Sequence, residues 1–473
     1  MRFFEGILFV STVLYIVVMN LYKVSKVGVI AFFTVLLPIA FLLHYIIEGT
    51  RWQLYPLYIL ILIYIIIGVF VIMGIFKEYT FIAHPKIKTV VIVLSIITIV
   101  ITLILAIILP VYNMPKPTGK YEIGTLTYEV TDPYTKEIYS ENSDENRRIK
   151  IQIWYPAEST KSYSRAPWLE DGVPVAKGVS KVMGLPDFLL THTALVKSNS
   201  YKGAPIKESE EKYPIVIVSH GWTGFRNLHT DVEEMLASNG YVVIGIDHTF
   251  GSAAVVFEDG EVNYFNQKAL PNGDVPNFLD YGNTLIKTYE RDIILTLDKV
   301  DQFQTGKDES IFKGKLDTSN IGLLGHSTGG GASVLTALKD ERVKAVVGLD
   351  AWVEPINKDE LQSGLNIQGL FLRSGQWEQV PNNSNLFLLL DNSKAKSEAY
   401  QLNGTTHLDF SMMYMYSPLI KYFNFSGKLD GREGASIQQD FELNYFNKYL
   451  KGNSDIDIKD VSDKYGGISD KIR

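Results

Sequence analysis

Residues 321–331 read Ile321-Gly322-Leu323-Leu324-Gly325-His326-Ser327-Thr328-Gly329-Gly330-Gly331. A short apolar run flows directly into a G-x-S-x-G turn, and a helical stretch follows. At a tight strand-to-helix turn a serine takes a strained backbone conformation, and glycines two positions either side relieve the crowding. The turn lifts Oγ above the sheet and aims the following N–H groups at the same point. No Lys-Ser/Thr pair follows the glycines, which excludes a Walker phosphate loop. Ser327 is thus the candidate nucleophile, and such a turn requires a parallel sheet around it.

The flanking sequence supplies that sheet. Apolar runs recur at Ile215–Val218, Tyr241–Ile246, Val343–Leu349 and Gly369–Leu372, with helical stretches between them. Leu285, Ile286, Tyr289, Ile293, Leu297 and Val300 form a stripe at helical spacing. Ile437, Phe441, Tyr445 and Tyr449 mark another helix over about 435–451. Continuous apolar strands alternating with amphipathic helices define an α/β fold with a mostly parallel central sheet. Upstream, Ile149, Ile151 and Ile153 alternate with Lys150 and Gln152 as in a half-buried strand, which Pro156 is expected to stop. Residues 157–212 carry no firm pattern, although Leu185–Val196 is apolar enough to cover a cleft.

A serine hydroxyl needs a base, and the base needs an orienting acid. On this kind of sheet they follow the serine in the order acid, then histidine. Of the eight histidines, only His407 lies beyond both Ser327 and a plausible acid. Asp350 ends the run Val343–Leu349, at the strand edge where open α/β sheets place their sites. Glu378, after the next strand, is its rival, while Asp340, Asp359 and Asp391 read as surface charges. The stretch Val218-Ser219-His220-Gly221-Trp222-Thr223-Gly224 leaves the first parallel strand. Its position predicts an oxyanion hole built from the backbone N–H groups of Trp222 and Thr328, with Gly221 permitting close approach.

These stretches together resemble the platelet-activating-factor acetylhydrolase family of α/β-hydrolases. The likeness runs over about 120–450. It rests on Ile153-Trp154-Tyr155-Pro156, Ser219-His220-Gly221-Trp222 with Gly224-Phe225-Arg226, Asp247-His248 with Gly251-Ser252-Ala253, the Ser327 turn, Gly348-Leu349-Asp350-Ala351-Trp352, and His407 with Phe410. The resemblance implies hydrolysis of short or oxidised acyl esters at the sn-2 position of phospholipids, with no calcium or other cofactor. It implies Ser327 as nucleophile, His407 as base and Asp350 as its orienter, and favours Asp350 over Glu378. Thr328 stands where the family usually has an aromatic residue.

Residues 1–112 lie outside that likeness. They hold seven basic and three acidic side chains, and the charge-free intervals are 6–22, 27–47, 52–76 and 89–115. About 20 apolar residues span a bilayer as a helix, so four transmembrane helices are expected over 1–112, with the charges outside the spans. His44 reads as an interfacial or packing residue. Tyr22, Trp52, Tyr55 and Tyr112 fall near predicted ends, as interfacial aromatics do. Lys23, Lys26, Lys77, Lys86 and Lys88 fall on one side of such a bundle, against Arg2, Arg51, Lys116 and Lys120 on the other. That balance points to an extracytoplasmic catalytic domain. A Pro-rich linker over 113–120, a catalytic domain over 121–452 and a loose polar tail over 453–473 complete the expected order.

The chain has 473 residues, a net charge of −7 and no cysteine. An acidic bulk opposes nucleic-acid binding. Without cysteine there is no disulfide, no thiolate nucleophile and no thiolate metal site. The reading is a multi-pass membrane serine ester hydrolase for lipid or other apolar esters, needing no metal. An acyltransferase on the same triad and a non-catalytic hydrolase-fold membrane sensor are its alternatives.

Overall fold

The structure is a computed structural model that describes residues 1–21, 27–75, 85–142 and 144–470. It divides into two compact units, Met1–Tyr112 and Asn113–Arg473.

The first unit contains helices α1 (Phe3–Leu21), α2 (Val27–Glu48), α3 (Tyr55–Ile72) and α4 (Pro85–Ile108). All four are long and apolar enough to cross a membrane. Large apolar side chains such as Val10, Phe32, Leu62 and Ile104 are exposed, whereas several polar groups are paired inside, with the buried Gln53 amide an exception among the described residues. Tyr15 bonds Thr34 at 2.6 Å, and Tyr64 bonds Ser95 at 3.1 Å. That inversion suits a bundle whose outer solvent is apolar. One expectation needs correcting, because Glu5 lies within α1 and is fully buried. Arg51 Nε and Nη2 donate to its two oxygens at 2.8 and 2.9 Å. This pairing is what makes a buried carboxylate tolerable. His44 is also buried, bonded to Glu48 at 3.0 Å and to the Tyr58 hydroxyl at 2.7 Å. Tyr22, expected as an interfacial aromatic, and Lys23, Lys26 and Lys77, counted for orientation, lie outside the described residues.

The second unit is built on strands β1 (Glu122–Lys136), β2 (Asn146–Ala157), β3 (Arg165–Pro167), β4 (Lys197–Lys202), β5 (Tyr213–Ser219), β6 (Val242–Asp247), β7 (Ala254–Val256), β8 (Val262–Tyr264), β9 (Leu316–His326), β10 (Val343–Leu349), β11 (Gln368–Ser374), β12 (Glu398–Leu402) and β13 (Ile468–Ser469). Eleven of them form one sheet, in the order β13-β12-β11-β10-β9-β5-β6-β2-β1-β4-β3. From β6 through β5, β9, β10 and β11 to β12 every pairing is parallel. β2 joins β6 antiparallel. Its helices are α5 (Val173–Val182), α6 (Thr230–Ser238), α7 (Phe278–Thr305), α8 (Thr328–Lys339), α9 (Lys358–Gln362), α10 (Asn382–Asn392), α11 (Gly431–Leu450) and α12 (Ile458–Asp463).

Side-chain alternation along each strand feeds a core on either face. In β5, Ile215 and Ile217 pack with Leu285, Ile286, Tyr289 and Ile293 of α7. Val216 and Val218 pack on the other face with Leu236 of α6 and Phe441 and Tyr445 of α11. Both faces being covered explains why the strands read as unbroken apolar runs.

Three local expectations are corrected. β2 runs through Pro156 to Ala157, because its pairing with β6 ends at Trp154 and one side of the ladder is already open there. The segment beside the candidate site is α5 with Met183, rather than Leu185–Val196. The C-terminal stretch is docked: Ile458 and Val461 of α12 are buried in the second core, and β13 pairs with β12.

Candidate active site

β9 delivers Ser327 at its C-terminal edge, and α8 starts at the next residue. Ser327 has φ +53° and ψ −119°, a strained conformation for a residue with a side chain. It is fixed by Ser327 N–H donating to Leu349 O at 3.0 Å, and by its own carbonyl accepting from Gly331 and Trp352. The turn is crowded enough to dictate its glycines. A Cβ on Gly329 would lie 2.2 Å from Ser219 O, and one on Gly221 would lie 3.0 Å from the Ser327 Cβ. The G-x-S-x-G turn and the loop after β5 are therefore packed against each other.

Asp350 follows β10 directly, with φ +40°. It is buried, and its Oδ1 accepts from Ser374 N–H at 2.7 Å. Its Oδ2 accepts from the Ser374 hydroxyl at 2.6 Å and from His407 Nδ1 at 3.0 Å. An ionised carboxylate only accepts, so Nδ1 of a neutral His407 carries the proton and Nε2 is left with its lone pair. Glu378 is exposed and makes no hydrogen bond to His407.

The His407 ring stacks on Trp377, with centroids 4.5 Å apart and planes within 2°. Its backbone N–H donates to Gln376 Oε1 at 2.7 Å. Its carbonyl accepts from His326 Nε2 at 3.0 Å. Burial, reinforced by the neighbouring His407, pushes His326 well below the ordinary imidazole range. His326 is then a neutral donor that braces the loop.

Ser327, His407, Trp222 and Thr328 all line one cavity of about 610 Å³. No hydrogen bond joins Ser327 to His407 among the described residues. The Trp222 and Thr328 N–H groups donate to no other group among the described residues. Most of the remaining lining is apolar and aromatic, including Val179, Phe225, Phe278, Trp352, Met413 and Phe425, with Thr223, Ser411 and His326 the other polar side chains and no acidic, lysine or arginine side chain.

Ser374, Gln376, Trp377 and His326 were not read from sequence as parts of this site. His326 stood inside the quoted motif. The other three sit at or just after the end of β11, the strand next to Asp350, so adjacency in a parallel sheet was the available signal.

This sheet order, with its strand-to-helix serine turn, defines an α/β-hydrolase. A family model described as platelet-activating factor acetylhydrolase, isoform II, matches residues 107–281 and 286–467. The chain belongs to that family of ester-hydrolysing enzymes. It is 23% identical over 363 residues to the platelet-activating factor acetylhydrolase of Cavia porcellus, covering 72% of this chain and 78% of the relative. It is 26% identical over 263 residues to a probable 1-alkyl-2-acetylglycerophosphocholine esterase of Arthroderma benhamiae, covering 52% and 61%. Among solved structures, a ferulic acid esterase from Streptomyces cinnamoneus shares the fold, with a TM-score of 0.58, 20% identity and coverage of 73% and 94%.

Proposed function

We propose that the chain is a membrane-anchored serine esterase that cleaves lipid or other apolar carboxylic esters through an acyl-enzyme. The observation that carries this reading is the Asp350–His407 hydrogen bond beside a strained Ser327 in one apolar cavity.

In this reading Ser327 Oγ attacks the ester carbonyl while His407 Nε2 takes its proton. Asp350 holds the ring in the required tautomer and stabilises the imidazolium. The carbonyl oxygen becomes an oxyanion held by the Trp222 and Thr328 N–H groups. Collapse expels the alcohol, protonated by His407. Water, deprotonated by His407, attacks the acyl-enzyme, and Ser327 regains its proton as the acid leaves.

A lining without carboxylate, lysine or arginine favours the uncharged acyl or alkyl part of a substrate, leaving any charged head group at the mouth. The relatives are named for acetyl esters of phospholipids, which supports a phospholipid substrate here. The four apolar helices support the anchor, which would keep the site close to a bilayer.

The test is labelling of full-length protein by a fluorophosphonate probe, followed by an ester panel graded by acyl length. Wild type should label and hydrolyse, and Ser327→Ala should do neither. Equal labelling of both proteins would end the proposal.

A further inference from the structure

A second serine–histidine–aspartate set lies behind the site. Ser219, the last residue of β5, is 2.8 Å from His248 Nε2, and His248 Nδ1 is 2.8 Å from Asp292 Oδ2. Arg147 grips that carboxylate through Nε at 2.9 Å and Nη2 at 2.6 Å. The His248 ring stacks on Tyr289 with centroids 3.6 Å apart. Ser219, His248 and Asp292 are all fully buried, and none lines the cavity. Burial disfavours the Asp292 carboxylate, but Arg147 outweighs it and holds the acid below its ordinary range. Burial also lowers His248. Proton positions follow from the partners. His248 Nδ1–H donates to the carboxylate, and its Nε2 accepts from the Ser219 hydroxyl.

Buried ionic groups are weak evidence for stability, since an apolar set of equal volume often serves as well. What this network touches is more telling. Ser219 stands three residues before Trp222. The loop between them is laced to residues 248–253. His220 Nδ1–H donates to Gly221 O at 2.7 Å, while its Nε2 accepts from the Ser252 hydroxyl at 2.8 Å. Thr223 N–H donates to Gly251 O at 2.8 Å, and Ala253 N–H donates to Gly224 O at 2.7 Å. The neighbours of Trp222 are held, while its own N–H is left unpaired.

We propose that Ser219, His248 and Asp292 are positioning residues that fix the loop after β5, and with it the direction in which the Trp222 N–H meets the oxyanion. Being dry, Ser219 touches no substrate. This inference rests on the esterase reading above.

The test uses full-length Ser219→Ala, which removes one hydroxyl, with His248→Gln as a second variant and Ser327→Ala as the control. Short-chain ester hydrolysis, fluorophosphonate inactivation and thermal unfolding are measured. Losing an oxyanion donor outright costs on the order of 100-fold or more in kcat, and a misaimed donor should cost about 10-fold. Both variants should therefore stay folded and lose kcat by about that factor at unchanged KM, with inactivation slowed in parallel. The double variant should lose little more than either single one, because both break the same chain of bonds. Wild-type kcat in Ser219→Ala, a loss confined to KM, or loss of the fold in both variants would overturn the positioning role. Failure of the esterase reading shows separately, as wild-type activity that survives in Ser327→Ala.

Discussion

Asp350 already satisfies two donors from Ser374 before it meets His407, so its carboxylate is aimed by β11 as much as by β10. Asn at this position can turn its amide towards His407 Nδ1 and stabilise the wrong tautomer, with the proton on Nε2. Asp350→Asn should thus lower kcat by roughly 10³–10⁴-fold. Glu378→Gln, at an exposed residue without a bond to the imidazole, should stay within about two-fold of wild type. Steady-state kinetics of the two variants decides between the carboxylates, and the reverse pattern would reassign the acid. Trp377 is the other support of His407, covering its ring at 4.5 Å. Trp377→Ala frees that ring and should cost about 10-fold in kcat, whereas Trp377→Phe keeps an aromatic face and should recover most of it. Equal rates for both variants and wild type would remove Trp377 from the positioning of the base.

Helices α6 and α11 carry an unusual load of acid. Glu233, Glu234 and Glu442 are fully buried, and Asp231 nearly so. Burial raises Asp231 to about 6 and Glu234 to about 7, and places Glu233 and Glu442 well above the ordinary carboxyl range. A carboxyl whose folded pKa is raised binds more protons folded than unfolded. Its contribution is complete below the unfolded value near 4.5 and is lost as pH climbs to the folded one. The buried imidazoles of His220, His229, His248 and His326, lowered by burial, lose stability only on acidification below neutral pH. The carboxyls therefore dominate above it, and thermal stability should fall between pH 7 and pH 8, by on the order of a few °C. Among the described residues neither Glu442 oxygen has a hydrogen-bond partner, so Glu442→Gln removes the charge without breaking a bond. It should be more stable than wild type at pH 8 and nearly equal at pH 5. A melting temperature that rises between pH 7 and pH 8 would refute the assignment. None of this was visible in the sequence, where no local signal marks Asp231, Glu233 and Glu234 as buried. The strands were visible for the opposite reason: burial on both faces leaves unbroken apolar runs, as in Val343–Leu349, which is β10 from end to end. The candidates Ser327, Asp350 and His407 could be named from the sequence because each follows a strand or turn with its own signature, and the fold brings Ser327 and His407 to one cavity and Asp350 to His407. The relay behind them was not, since Asp292 lies inside the stripe of α7 and only the folded sheet brings it to His248.

At the scale of the molecule, the proposed anchor raises the question of which side of a bilayer the second unit would occupy. Four spans would put both chain ends on one side, whichever side that is. Lys23, Lys26, Lys77, Lys86 and Lys88, expected on the opposite side, slightly outnumber Arg2, Arg51, Lys116 and Lys120, with Lys86 and Lys88 in the first turn of α4 rather than in the loop that the sequence suggested. Basic residues favour the cytoplasmic side, so the expectation is a catalytic unit outside. The chain offers an unusually direct test because it contains no cysteine. A single cysteine can be placed at exposed Ser454 or just before Met1, with no background thiol to mutate. Intact cells treated with a membrane-impermeant maleimide should label both variants, and a cysteine introduced at Lys77 should label only after lysis. Labelling at Lys77 alone in intact cells would invert the orientation and put the second unit on the cytoplasmic side. Labelling of only one of the two end variants would break the four-span count itself, since an even number of crossings cannot separate the ends.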